Sequence, residues 1–215
     1  MNILGLHRHV YKETSSSLVS RNVEGNISIS RERNSFPHPQ ERKSPPTSTM
    51  SATTAPTLEA ATAFVKSYGA AIALTQNPNI TAEEIAAALV RHYGSKFTAY
   101  DHGHVVAAPS NDPDFWLKGV TTHLKRFQKS GLGWDMKLSD FRIEVVGGDA
   151  AKCHVTWSIS PANQEGWEWT NVYGWKDGGE ISAEDGLRGA FESVVSDEET
   201  EELFRRVPGF LEIEV

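Results

Sequence analysis

Residues 167–175 read Trp-Glu-Trp-Thr-Asn-Val-Tyr-Gly-Trp. Large side chains recur at every second position, and this period of two is typical of a β-strand. One face of the strand then carries four aromatic rings and one amide: Trp167, Trp169, Asn171, Tyr173 and Trp175. So much apolar surface has to be covered, which predicts a wall of a pocket, a dimer interface or ordinary core.

Further strands are predicted on both sides of this segment. Residues 141–146 and 153–159 alternate in the same way and are joined by a glycine-rich turn at 147–149. His154 and Trp157 fall on opposite faces of their strand, and the pattern does not decide which of them faces inward. A last strand is predicted around 187–195, and residues 97–108 are predicted to be a short strand or an extended loop.

Three helices are predicted before the main run of strands. The first begins at Thr57, whose hydroxyl is expected to cap it, and the second begins with a capping box at 81–84. The third is expected to start with Asp112 as cap and to end at Gly131. Its inward face is predicted from the spacing of four residues, namely Trp116, Val120, His123 and Phe127.

A short acidic helix is predicted after the last strand. Ser196 is followed three residues later by Glu199, which is the spacing of a capping box. The acidic run 197–202 is interpreted as a solvated helix with its negative charge favourably placed at the N-terminus.

The first quarter of the chain differs in composition from the rest. Residues 12–57 are rich in Ser, Thr, Pro, Asn, Arg and Glu and poor in aromatic residues. Such a segment buries too little apolar area to offset the entropy of ordering it. We therefore expect a disordered leader over 1–56 and one domain over 57–215.

Charge and composition exclude several classes of function. Residues 50–215 hold 14 basic and 24 acidic residues, so this part of the chain repels phosphate backbones and we expect no nucleic-acid partner. No apolar stretch approaches the length of a membrane span, and no signal peptide is recognisable, so no membrane partner is expected. The single cysteine, Cys153, fits a reducing compartment, and the expected location is the cytoplasm.

The order of these elements resembles the nuclear transport factor 2-like superfamily. Two segments are similar in residue pattern to SnoaL-like, or polyketide cyclase-like, domains: residues 97–103, Phe-Thr-Ala-Tyr-Asp-His-Gly, and residues 167–175. The resemblance implies an α+β, cystatin-like roll in which a curved antiparallel sheet forms a cone around the N-terminal helices. It also implies a pocket for a small hydrophobic ligand and a homodimer formed through the outer face of the sheet.

Tyr100, His102 and His123 are the candidate catalytic residues. Tyr100 and His102 would share one face of a strand with His104, and imidazoles titrate near neutral pH. The pair His102 and His104 would also suit a metal, but no third ligand is apparent, and we expect no metal site. His123 lies on the apolar face of the longest helix, where it is either a base in the pocket or a buried core residue.

Five residues are candidates for ligand binding: Trp116, His154, Trp169, Asn171 and Tyr173. In a pocket, Asn171 would orient a carbonyl or hydroxyl group of the ligand while the rings pack on its apolar body.

The leading functional hypothesis is a SnoaL-like protein that binds a small hydrophobic metabolite and acts on it without a cofactor, as a cyclase, isomerase or dehydratase. The members implied by the resemblance use different acid and base residues, and no complete set matches this chain. One alternative is a non-catalytic ligand-binding or dimerisation module. The second is a metal-dependent enzyme built on a small barrel, which the three helices before the sheet disfavour.

Overall fold

A computed structural model describes residues 55–178 and 186–215. Its helices are α1 (Ala55–Ala73), α2 (Ala82–Val90), α3 (Phe115–Lys129) and α4 (Asp197–Arg206), with 3-10 turns at Leu74–Gln76 and Phe210–Glu212. Its strands are β1 (Tyr93–Asp101), β2 (His104–Ala107), β3 (Met136–Val145), β4 (Ala150–Ile159), β5 (Trp167–Lys176) and β6 (Ala190–Val195). The expected leader lies outside the described residues, apart from its last two positions.

The six strands form one sheet in the order β2-β1-β6-β5-β4-β3. Neighbouring strands are antiparallel except β1 and β6, which are parallel. The register shifts within three pairs, β1 with β6, β3 with β4 and β5 with β6, and such irregularities bend a sheet. The chain therefore has the expected α+β fold with a curved, open sheet, and one parallel pair is added to the expected antiparallel pattern.

The inner face of the sheet is the one that carries the aromatic side chains. Trp169, Asn171, Tyr173 and Trp175 are all buried on β5, as the alternation predicts. On β4 the open question of orientation is settled, because Trp157 is 3% exposed and faces inward. His154 therefore lies on the outer face of the sheet.

Helix α1 covers this inner face and approaches it closely. At Gly69 an added Cβ would lie 2.8 Å from Cδ2 and 3.0 Å from Cβ of Leu138 on β3. Thr57 is not the helix cap, because the described helix already includes Ala55. Its hydroxyl instead donates a hydrogen bond of 2.6 Å to the carbonyl of Gly148 and ties the first turn of α1 to the β3–β4 turn.

The segment predicted as a strand or loop is a hairpin made of β1 and β2. His102 and Gly103 form its turn with φ values of 47° and 78°. Two successive left-handed residues are the signature of a type I′ turn, whose twist suits a tight hairpin. The sequence pattern missed β2 because its four residues are mostly exposed and carry no clear alternation.

Helix α3 starts later than predicted but presents the predicted face. The first helical residue is Phe115, and Asp114 in the cap position makes no side-chain capping bond. All four residues predicted to face inward are buried: Trp116, Val120, His123 and Phe127. The chain leaves the helix through Gly131, which has a φ of 81°.

Helix α4 differs from its expected role as a solvated helix. Its positions 199, 200 and 203 are buried, and the side chain of Ser196 makes no capping bond. Glu199 therefore points into the protein instead of closing a capping box.

Among residues 55–178 and 186–215, none of the helices combines the length and the apolar character that a bilayer crossing requires.

Candidate functional site

A small enclosed cavity lies between α1, α3, α4 and the inner face of the sheet. Its apolar wall comes from Ile72, Leu124, Phe127, Met136 and Trp157. Its polar wall comes from Tyr68, His123, Trp169, Tyr173 and Glu199. The cavity has room for about 10 Å³, roughly the space of one water molecule. A larger ligand therefore requires side chains to move.

The central feature of this cavity is a buried acid–imidazole pair. Nε2 of His123 on α3 lies 3.6 Å from Oε1 of Glu199 on α4, and both side chains are at most 4% exposed. Asn171 on β5 donates a hydrogen bond of 2.7 Å from Nδ2 to Oε2 of Glu199. Three separate elements thus meet at one carboxylate.

Burial acts in opposite directions on the protonation of the two partners. It lowers the pKa of His123, because the imidazolium loses its hydration and the nearby carboxylate only partly compensates. The pKa of Glu199 lies below its ordinary value: burial alone would raise it, but neighbouring groups, His123 among them, lower it more, so the side chain is ionised at neutral pH. A neutral imidazole beside Glu199 is therefore able to accept a proton at neutral pH.

Several polar atoms around the pair have no partner in hydrogen-bond geometry among the described residues. They are both ring nitrogens of His123, Nε1 of Trp169, Oδ1 of Asn171 and the hydroxyl of Tyr173. Buried donors and acceptors are normally paired, because leaving one unpaired costs about 1–3 kcal/mol. So many at one place are typical of a site that a polar ligand completes.

Aromatic packing fixes the walls of the cavity. Tyr68 contacts Trp157 and Tyr173 edge to face, with ring centroids 5.6 and 5.5 Å apart. On the opposite side, the ring of Phe210 packs edge to face on His123 at 5.3 Å and on Phe127 at 5.2 Å. The 3-10 turn that carries Phe210 therefore covers the imidazole.

Four of the candidate residues are brought together here. His123, Trp169 and Tyr173 line the cavity, and Asn171 adjoins it through its bond to Glu199. They come from α3 and β5, and only the fold makes them neighbours.

The other four candidates lie away from the cavity. Tyr100 is 43% exposed on β1, and His102 occupies the β1–β2 turn. His154 is on the outer face of the sheet, 3.7 Å from a carboxylate oxygen of Glu144. Trp116 is buried against Phe97 and other rings beyond the cavity wall.

Glu199 is the site residue that sequence reasoning missed. It stands in an acidic run, and its distance from Ser196 mimics a capping box. A helical signal was nevertheless present, because Glu199 precedes Leu203 by four positions and so shares its buried face.

No protein-family model and no curated protein matches the sequence. Several solved structures are similar in fold. An NTF-2 like protein of unknown function from Shewanella oneidensis has 12% identity and a TM-score of 0.44, with 64% of this chain and 96% of that chain covered. A cystatin-like domain of unknown function from Nostoc punctiforme has 13% identity and a TM-score of 0.44, with 71% and 85% covered.

An NTF2-like protein from Anabaena variabilis has 8% identity and a TM-score of 0.38, with 69% of this chain and 92% of that chain covered. All three likenesses have TM-scores below 0.5. At such low identity they concern the fold and not an activity.

Proposed function

We propose that this protein, with its NTF2-like α+β fold, binds a small apolar molecule that carries a carbonyl or hydroxyl group in the cavity around His123. The observation that carries the proposal is the buried His123–Glu199 pair, surrounded by polar atoms that have no hydrogen-bond partner within residues 55–178 and 186–215. Tyr173 and Trp169 supply an O–H and an N–H for an oxygen of the ligand, and the surrounding rings suit its apolar body.

The chemistry that fits this arrangement is proton transfer without a cofactor. Neutral His123 removes a proton from carbon or oxygen of the ligand, and Glu199 stabilises the imidazolium that results. A hydrogen bond from Tyr173 or Trp169 stabilises the negative charge that develops on the ligand oxygen. The imidazolium then returns this proton, to another carbon or to the oxygen of the ligand in an isomerase or cyclase step, or to a departing hydroxyl group, which leaves as water, in a dehydratase step.

A non-catalytic binding protein is the second candidate. It is favoured by the size of the cavity, which in this conformation holds about one water molecule. A protein that only binds would use the same donors and rings but would transfer no proton.

One experiment separates the two candidates. The full chain is screened by thermal shift against aromatic and polyketide-like ketones, and each binder is then incubated with it in D2O. The loss of the proton next to the carbonyl is followed by NMR. We expect faster exchange with the protein, and at least a tenfold slower rate in the His123→Gln and Glu199→Gln variants.

Glu199→Gln keeps an oxygen that accepts the bond from Asn171, so it tests the charge with little change of shape. Cys153→Ala is the matched control, because this residue is also buried on the inner face of the sheet but does not line the cavity. Binding without any exchange would support the non-catalytic candidate. Exchange that is equally fast in both cavity variants would contradict the catalytic proposal.

The outer face of the sheet supports the proposal of a homodimer. Val105, Tyr100, Val195 and Val172 are paired in register across β2, β1, β6 and β5. Three of these four side chains are more than 40% exposed, and such a contiguous apolar row is typical of a contact surface. In a two-fold symmetric dimer the same row on each of two copies can pack against the other, so a second copy of the chain is the proposed partner.

We also propose that the protein acts in the cytosol. Its single thiol, Cys153, is buried, and burial raises its pKa to about 12, so it takes no part in disulfide chemistry.

A further inference from the structure

The β1–β2 turn is fastened to the beginning of α4. The backbone N–H of His102 donates a hydrogen bond of 2.6 Å to Oδ1 of Asp197, and Nε2 of its ring lies 3.2 Å from the carbonyl oxygen of the same residue. Next to them, the hydroxyl of Thr200 donates a bond of 2.6 Å to Oδ2 of Asp101. Two carboxylates and one imidazole therefore meet where a strand, a turn and a helix come together.

The second oxygen of Asp101 is the unusual atom of this group. The side chain is 3% exposed, and its Oδ1 has no hydrogen-bond partner among the described residues. Nε2 of His102 lies 3.8 Å from this oxygen, which is too far for a hydrogen bond. A buried carboxylate oxygen without a donor is costly, and a bound cation removes that cost.

We propose that Asp101, His102 and Asp197 form a binding site for a divalent transition-metal ion, with zinc as the reference ion. One ligand atom from each residue lies within 4.8 Å of the others. Zinc binds imidazole nitrogen and carboxylate oxygen at about 2.0–2.2 Å, so small side-chain rotations bring all three into contact. The imidazole favours zinc and its neighbours over magnesium or calcium, which prefer oxygen alone.

This metal site is separate from the cavity around His123. Metal binding there does not depend on whether the cavity is catalytic. It also revises the expectation that no metal binds near His102, because the further ligands come from Asp101 and Asp197, the latter far along the chain, and not from His104. With His102 and Asp197 partly open to water, solvent would fill the remaining coordination positions.

Zinc binding to the full chain tests the proposal. The protein is first treated with a chelator, and zinc chloride is then added in a calorimetric titration and in thermal unfolding. We expect one ion per chain to bind and to raise the melting temperature, since a ligand that binds the folded state stabilises it. Asp101→Asn and His102→Asn should each weaken zinc binding at least tenfold and abolish the rise in melting temperature.

His102→Asn is a suitable variant because asparagine tolerates the left-handed conformation that this turn requires. His154→Gln is the matched control, since this imidazole also lies beside a carboxylate, that of Glu144, but outside the group. His7 and His9 offer other ligands, so a His7→Gln, His9→Gln variant is included. Zinc binding that survives in both site variants, or that disappears in either control, would overturn the proposal, as would the absence of any binding.

Discussion

At the scale of single residues, the position of His123 links the fold to a measurable property. Its ring is enclosed by Phe127 and Phe210, and within the described part of the chain the charged groups near it are Glu199 and Arg126. Burial lowers the pKa of His123 below its ordinary value of about 6.5. Just below pH 6.5, His123 is therefore protonated more fully in the unfolded chain than in the folded protein. Stability then falls as the pH falls below 6.5.

We therefore predict that the free energy of unfolding decreases between pH 7.5 and 5.5, and that the decrease is smaller in His123→Gln. One histidine contributes at most about 1.4 kcal/mol per pH unit. Urea unfolding of both proteins at the two pH values measures the difference. The remaining seven histidines are common to both proteins and cancel in the comparison. An identical pH dependence of the free energy of unfolding in the two proteins would show that burial does not lower the pKa of His123.

Residue by residue, the sequence predicts positions that follow a period and misses those that depend on distant partners. The inward faces of His123 and Asn171 follow from helical and strand spacing, and both are buried. The environment of Glu199 does not follow from spacing alone, because its partners are 76 and 28 positions away along the chain. Local reasoning assigned it to a capping box, while tertiary contacts place it in the core.

At the scale of elements, the contact of α1 with β3 depends on a glycine. Gly69→Ala would improve helix propensity by about 1 kcal/mol but would press the new methyl group against Leu138. The Cβ of Leu138 is fixed to its strand and cannot turn away, so overpacking outweighs propensity. We predict a net loss of about 1–2 kcal/mol in the free energy of unfolding, measured with urea.

Gly148→Ala is the control for this substitution. An added Cβ there meets no atom within 4 Å, and the backbone is not left-handed. The free energy of unfolding of the Gly148→Ala variant should stay within about 0.5 kcal/mol of that of the parent protein. Equal stability of the two alanine variants would mean that α1 and β3 are further apart than the structure shows.

Elements with strong periodicity were predicted well, and the weakly patterned ones were not. The capping box of α2 forms as expected, with Thr81 and Glu84 bonded reciprocally. The β1–β2 hairpin was not recognised, because its turn uses His102 where asparagine or glycine would have been a clear signal. Helix α3 has Asp114 and not the predicted Asp112 in the cap position and begins at Phe115, two residues after the predicted first turn at Pro113, because capping residues fix a helix boundary only weakly.

At the scale of the whole molecule, association can be tested directly. We predict that the protein sediments at micromolar concentration with twice the chain mass of 23.7 kDa. Val195→Lys places a charge in the middle of the apolar row on the outer face and should produce monomers. Val146→Lys is the matched control, because that valine is also exposed, at 54% against 41% for Val195, but lies beyond the end of β3. A parent protein that sediments as a monomer would contradict the dimer.

The order of the strands in the sheet means that the sheet is completed only late in synthesis. β6 is the last strand to be made, yet it lies between β1 and β5 and joins the two halves of the sheet. Until residues 190–195 leave the ribosome, the β1–β2 hairpin and the β3–β5 meander each expose an unpaired edge. A nascent chain of this kind depends on late, long-range pairing, so we expect it to fold slowly and to engage chaperones until its final strand is in place.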